Sequence, residues 1–319
     1  MSRDRRLAAN HRRATSSVEA IAPLLHPPRF LVRLGLHGLT PASFILRAAR
    51  RGAAVLVAAV LPGVAVAGVA VPPVTEVSFA VKGDWGVGTP AQRAVTRRMC
   101  REHTRSPFAF VLTTGDNFYS PDGTATGRNF GRPEACLVRA GVPWRAAWGN
   151  HDVPGRSTAS VLGATARYYS FAQGALRVVV LDANRPDDDA QLRFLRRTLE
   201  VAREPTVIVA FHQPVYTAGP HGPSLSARRR WVPLFRRHGV RLVLQGHNHD
   251  YERIVRGGVN YVTTGGGGQS LYPCVRPAAG ILRCVPAYHF LRISVTAARI
   301  QVRAIEPSGA TLDAFTIPG

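Results

Sequence analysis

Val77-Ser78-Phe79-Ala80-Val81-Lys82-Gly83-Asp84-Trp85-Gly86 is the stretch that decides how the rest of the chain is read. Its first six residues favour a short strand, being rich in β-branched and aromatic types, and the run stops in a glycine followed by a carboxylate. A helix signal comes next. Thr89 stands as N-cap, Pro90 at the first helical position and Gln92 at the third, a capping-box arrangement for a helix over 89–103. The same alternation then recurs downstream, which is the signature of an α/β sheet. Residues 108–113 read as the next strand, ending in Gly115-Asp116, and 144–148 run into Gly149-Asn150. Residues 178–181 are wholly apolar, as a strand buried on both faces is. Residues 187–201 read as a helix, with acids in its first turn and Leu192, Leu195 and Leu199 on one face. A strand over 206–211 ends at His212. Ser226 then caps a helix through Trp231, Leu234 and Phe235 that stops at Gly239. A strand over 241–244 ends at Gly246-His247, and 251–255, 260–264, 290–295, 299–305 and 311–317 read as mostly antiparallel strands.

Five of these strands end in polar clusters of one kind. They are Gly83-Asp84-Trp85-Gly86, Gly115-Asp116-Asn117-Phe118-Tyr119, Gly149-Asn150-His151-Asp152, Val209-Ala210-Phe211-His212 and Gly246-His247-Asn248-His249. In α/β sheets ligands bind at the carboxyl ends of strands, and a glycine ahead of the functional residue permits a sharp turn and close approach. A lone Gly-Asp is ordinarily only a turn. The collected side chains are carboxylate, carboxamide, imidazole and phenol, ligands for hard and borderline cations with no thiolate among them. Five of the eleven histidines (His151, His212, His221, His247 and His249) fall in or just after these strand ends.

In this order the clusters read GDxG, GDxxY, GNH(D/E), VxxH and GHxH. On them the sequence is identified as a member of the calcineurin-like metallophosphoesterase superfamily and, through Tyr119, resembles a purple acid phosphatase. The resemblance spans residues 77–310. It is to the short, single-domain, tartrate-resistant acid phosphatase-like type, since the chain has no room for a further N-terminal β-domain. It implies a four-layer αββα sandwich of two mixed β-sheets flanked by helices. It assigns Asp84, Asp116, Tyr119 and His249 to a ferric ion. Asp116, Asn150, His212 and His247 go to a divalent iron, zinc or manganese, with Asp116 bridging. That division suits the donors, since carboxylates and a phenolate are hard anionic oxygens while imidazole and carboxamide are neutral. The reaction implied is attack of metal-bound hydroxide on a phosphate monoester. His151 is expected to contact phosphate or leaving group, and His221 to protonate the leaving oxygen. Asp152 is expected to support His151 or its loop rather than bind metal. Gly265 to Gly268 lack a following Gly-Lys-Ser/Thr and read as a tight turn near the site. A phosphodiesterase or nucleotidase on the same scaffold is the alternative enzyme. A basic polyanion-binding protein with an idle centre is the alternative of another class.

Composition bounds the rest. A chain of 319 residues that is 45% hydrophobic and 19% charged builds a sizeable core and is neither disordered nor collagenous. Its 41 Lys+Arg against 19 Asp+Glu invite a nucleic-acid reading. Only Lys82 among them is a lysine, however, and so Arg-heavy a chain fits genome bias better than a binding patch. Small phosphorylated substrates are therefore the expected partners, with no specific nucleic acid. Residues 1–52 form an Arg-rich leader carrying only Asp4 and Glu19 as acids, and 53–71 are uncharged after Arg50-Arg51. The apolar segment reads as a signal peptide with Ala65-Val66-Ala67 and Gly68-Val69-Ala70 as cleavage candidates, or as a membrane anchor interrupted by Pro62-Gly63. Either gives an extracytoplasmic catalytic domain over 77–319. So long a leader makes a start downstream of Met1 a further expectation. Cys274 and Cys284 flank a short loop and are candidates for a disulfide, with Cys100 and Cys136 remaining; four buried thiols are the alternative.

Overall fold

The computed structural model describes residues 76–153 and 155–319, so the leader read at 1–52 and the apolar segment at 53–71 lie outside the described residues. In chain order the first elements are β1 (Val77–Lys82), α1 (Pro90–Arg105), β2 (Val111–Thr113), α2 (Ala135–Arg139), β3 (Trp144–Ala146) and α3 (Ser157–Leu162). Then come β4 (Tyr169–Gln173), β5 (Leu176–Val180), α4 (Asp189–Val201), β6 (Thr206–Ala210), α5 (Leu225–Arg237) and β7 (Leu242–Gln245). The chain finishes with β8 (Tyr251–Arg256), β9 (Val259–Thr264), β10 (Ile281–Val285), β11 (Phe290–Val295), β12 (Arg299–Ile305) and β13 (Thr311–Pro318). A single π-helical turn, Gly127–Gly131, precedes α2.

Two mixed sheets result. One has six strands in the order β13-β12-β11-β1-β2-β3, with β1, β2 and β3 parallel and the remaining pairs antiparallel. The other has seven in the order β10-β8-β9-β7-β6-β5-β4, with β5, β6, β7 and β9 parallel. Side-chain alternation sets the layering. Phe79 and Val81 of β1 meet Val178, Ile208 and Leu244 of the second sheet in the core between the sheets. Val179, Val209 and Val243 point the other way, onto Leu195 and Leu199 of α4 and Trp231 and Phe235 of α5. Ala80 and Val111 do the same on the first sheet, against Val95 and Met99 of α1, Leu137 of α2 and Leu162 of α3. Helix, sheet, sheet, helix is the arrangement the resemblance implied. The central strands are buried on both faces, which is why they read as unbroken apolar runs.

Local signals held with instructive departures. Thr89 caps α1 by accepting from the Gln92 amide at 3.1 Å, but the Gln92 carboxamide turns to the Gly88 amide (2.7 Å) and Glu134 (3.0 Å), so only half the capping box forms. α5 is capped by Ser224, not Ser226, because the Ser226 hydroxyl is engaged by Asp187. β4 and β10 have no counterpart among the strands expected from the sequence: both are five-residue edge strands with no fully buried face, too short and too exposed to carry a period-2 pattern. All four cysteines pair, Cys100 with Cys136 and Cys274 with Cys284, each with Cα atoms 6.2 Å apart. That decides against free thiols.

Candidate metal centre

The parallel strands of both sheets discharge their chain at one edge. β1 delivers Gly83-Asp84, β2 Gly115-Asp116, β3 the Gly149-Asn150-His151 turn, β6 His212 and β7 His247. Among the described residues only Asp84, Asp116 and His247 combine a β-carbon with positive φ, at 56°, 48° and 71°. Such backbone costs about 1–3 kcal/mol per residue and clusters at functional sites. Here it turns each side chain back across its own strand end. Two glycines make room. Gly115, at φ 97°, would place a β-carbon 2.7 Å from His212 Nδ1, and one at Gly149 would overlap the Asp116 amide and carboxylate.

Two donor sets then meet at one atom, Asp116 Oδ2. Tyr119 Oη lies 3.1 Å from it, 3.2 Å from Asp84 Oδ1 and 3.0 Å from His249 Nε2, while His249 Nε2 lies 3.4 Å from Asp84 Oδ1. On the other side His212 Nε2 is 3.3 Å from Asp116 Oδ2, 3.1 Å from Asn150 Oδ1 and 3.2 Å from His247 Nδ1. Asp116, His212 and His247 offer donor atoms all within 4.8 Å of one another. The other carboxylate oxygen of Asp116 accepts from the His151 amide at 2.9 Å, which leaves Oδ2 free to face both sets. The Nδ1 atoms of His212 and His249 face the carbonyls of Thr114 (2.9 Å) and Ser270 (2.8 Å), so each ring donates outward and turns a lone pair on Nε2 inward. All seven residues singled out in the sequence as ligands are in these two sets.

The electrostatics call for cations between them. His212 is fully buried, which alone would lower its pKa, yet Asp116 and Asp84 raise it to about 9. Burial pushes the Asp116 carboxyl up, but His212 and His151 outweigh it and hold it well below the carboxylate range. Asp84 is raised by burial, against the pull of His212 and His249. Burial and then the two carboxylates push the Tyr119 phenol well above its ordinary value, so its ionisation requires a strong local positive charge. The donor set fits a pair of metal ions sharing Asp116.

His151 and His221 sit at the mouth. The half-exposed His151 has Nε2 4.0 Å from Asp116 Oδ2 and its ring 4.5 Å from that of Tyr119. The His221 ring lies 4.5 Å from His247 and 5.2 Å from Tyr272. Sequence reading missed what holds them. Asn248, between two proposed ligands, accepts from the His221 amide at 3.0 Å and donates to the His221 carbonyl at 2.9 Å and to Thr217 Oγ1 at 2.7 Å. The buried Glu252 carboxylate accepts from Thr217, Ala218 and Gly219 on the same loop. Tyr272 stacks on His249 with ring centroids 4.0 Å apart. Asp152 braces loops and not the His151 side chain: it accepts from Asn117 and Gly149 amides and the Asn117 carboxamide at 2.8–2.9 Å. Gly265 to Gly268 do lie against the site, strapping the Asp84 turn through Gly267 N to Gly83 O and Gln269 N to Asp84 O, both 3.0 Å.

A two-sheet sandwich with a shared-carboxylate donor cluster at its strand ends defines a binuclear metallohydrolase class. The sequence model of the calcineurin-like phosphoesterase family matches residues 77–251, and the chain belongs to that family. It is 24% identical over 300 residues to tartrate-resistant acid phosphatase type 5 of Mus musculus, covering 77% of this chain and 91% of that one. It is 26% identical over 234 residues to purple acid phosphatase 3 of Arabidopsis thaliana, covering 61% and 64%. Among solved structures, a purple acid phosphatase from Lupinus luteus seeds superposes with a TM-score of 0.66 at 18% identity, over 76% of this chain and 54% of that one. GAP50, described as the anchor in the inner membrane complex of Plasmodium, gives 0.64 at 18%, over 76% and 89%. These structural likenesses speak for the fold; the site speaks for the chemistry.

Proposed function

We propose that this chain is an acid phosphatase that hydrolyses phosphate monoesters at a binuclear metal centre. The observation that carries the reading is Asp116 Oδ2, the one atom common to two complete donor sets. Asp84, Asp116, Tyr119 and His249 would hold a ferric ion, a trivalent cation suited to two carboxylates and a phenolate. Asp116, Asn150, His212 and His247 would hold a divalent iron, zinc or manganese. Bound there, the pair supplies Lewis acidity toward the phosphoryl oxygens and an activated water. The protein supplies the rest. His151, over Tyr119, orients the phosphate from the solvent side. His221, fixed at both ends of its peptide by Asn248, donates a proton to the departing oxygen. Small phosphorylated molecules are the substrates. A polyanion-binding protein with an idle centre would not need all seven donors in ligating arrangement. Two disulfides among the described residues support an oxidising, extracytoplasmic setting, and export or anchoring through 53–71 completes it. Asp116→Ala tests the assignment. Elemental analysis should find loss of both metals, and p-nitrophenyl phosphate hydrolysis should vanish; retained activity would overturn the shared-carboxylate reading.

A further inference from the structure

Beside the loop that carries His221 lies a cavity of about 270 Å³ lined by Arg228, Arg256, Arg276, Tyr216 and Thr217. Three elements bring the arginines together. Arg228 comes from α5, with Nε donating to Val215 O at 2.6 Å and its guanidinium 4.5 Å from the Tyr216 ring centroid. Arg256 ends β8, 5.5 Å from the same ring, and donates to Ala279 O at 3.2 Å. Arg276 belongs to the segment between β9 and β10, where the Val275 and Arg276 amides both bond Ala218 O at 2.9 Å. Arg167, Arg177 and Arg253 show what a matched arginine looks like in this fold, each paired with an acid (Asp182, Glu204 and Asp313). None of Arg228, Arg256 and Arg276 has a carboxylate within 4.0 Å among the described residues. Three like charges on one concave wall repel one another until an anion sits between them.

The cavity adjoins the leaving-group side of the site. Gly222 follows His221, and a β-carbon on it would lie 3.1 Å from Arg276 Nη1. Thr217 belongs to both places: it lines the cavity, and its hydroxyl takes the Asn248 bond that fixes the His221 loop. The Cys274–Cys284 bridge and the amide bonds to Ala218 O tie down the backbone segment that presents Arg276, so less chain freedom is lost when a ligand binds there. Guanidinium groups match phosphate oxygens in paired hydrogen bonds. A phosphate also keeps negative charge in acid, where carboxylates near their ordinary pKa of about 4 lose it.

We propose that this cavity binds a second phosphate on the leaving group, making the preferred substrates phosphate monoesters whose alcohol is itself phosphorylated. The inference rests on the phosphomonoesterase reading above. The test compares glucose 1,6-bisphosphate with glucose 6-phosphate, which differ only in that group, on the metal-loaded full chain. The wild-type ratio of kcat/KM should favour the bisphosphate. Arg276→Gln and Arg228→Gln should each lower that ratio about tenfold, through KM, as loss of one charged hydrogen-bond partner does. Arg299→Gln, exposed at the start of β12, should leave the ratio unchanged. A ratio that stays within about twofold in both pocket variants overturns the proposal, and so does an equal loss in Arg299→Gln, which would reflect net charge alone. If the wild-type protein turns over neither sugar, the phosphatase reading has failed instead. The bisphosphate, then unhydrolysed, is titrated calorimetrically: about tenfold weaker binding to Arg276→Gln upholds the pocket, and equal binding refutes it.

Discussion

At φ 71°, His247 occupies backbone space that a side chain with a β-carbon seldom takes, and it is joined there only by Asp84 and Asp116 among the described residues with side chains. Folding holds all three against that cost because each lies where a strand end must reverse direction to present a donor. His221 is the residue whose role is most open to kinetic test. Desolvation, followed by the neighbouring His249, holds its pKa below the ordinary imidazole value. Its proton is therefore present in acid and lost as pH rises through that lowered value, so kcat should fall on the alkaline side. His221→Asn should cost about 100-fold in kcat and abolish that alkaline limb; a limb that persists in the variant assigns the donor elsewhere. The donors that the fold gathers were legible at this scale, because carboxylate, carboxamide and imidazole recur at successive strand ends, four of the five clusters opening on a glycine. The support was not. Asn248 reads as filler between two histidines, and its two bonds to the His221 peptide span 27 positions that only the fold brings together.

Among the elements, β1 and α1 are joined by an arrangement that the sequence hid. Lys82, the only lysine of the chain, is completely buried, with Nζ 2.7 Å from Glu134 Oε2 and 4.0 Å from the Trp85 ring centroid. Glu134 also accepts from Gln92 and Thr96 of α1, each at 3.0 Å, while Cys100 of α1 is bonded to Cys136 of α2. This cluster fixes α1 and α2 onto the strand that delivers Asp84. Removing one partner from a buried pair leaves a stranded charge, so Glu134→Ala should cost about 3–5 kcal/mol. Lys82→Met/Glu134→Leu should cost less than either single change. Denaturant midpoints with the disulfides kept oxidised measure both, and a double variant as damaged as the sum of the singles would show that the pair is not coupled. Periodicity exposed the long amphipathic helices and the doubly buried strands. It could not expose α2 or α3, at five and six residues, since so short a segment completes barely one turn of pattern.

Over the whole molecule, the site exists only because two sheets stack: β1, β2 and β3 of one and β6 and β7 of the other end at the same edge. No single βαβ unit holds a complete donor set. The strand-end motifs made the αββα architecture legible as a whole before any one loop could be placed. The excess of 41 basic over 19 acidic side chains also acts at this scale. On the proposed function it would draw phosphorylated substrates by long-range attraction that salt screens. Raising ionic strength from about 0.01 to 0.15 M, where the screening length shrinks to about 8 Å, should lower kcat/KM for an anionic substrate with kcat little changed; an unaltered kcat/KM would confine the relevant charge to the site. The most direct test of a ferric–divalent centre is the visible spectrum of the metal-loaded protein, taken beside its Tyr119→Phe variant. Tyr119 bound as phenolate predicts a violet charge-transfer band in the wild-type protein and none in the variant. A colourless, active wild-type protein holding two divalent ions, or a band that survives Tyr119→Phe, would contradict it.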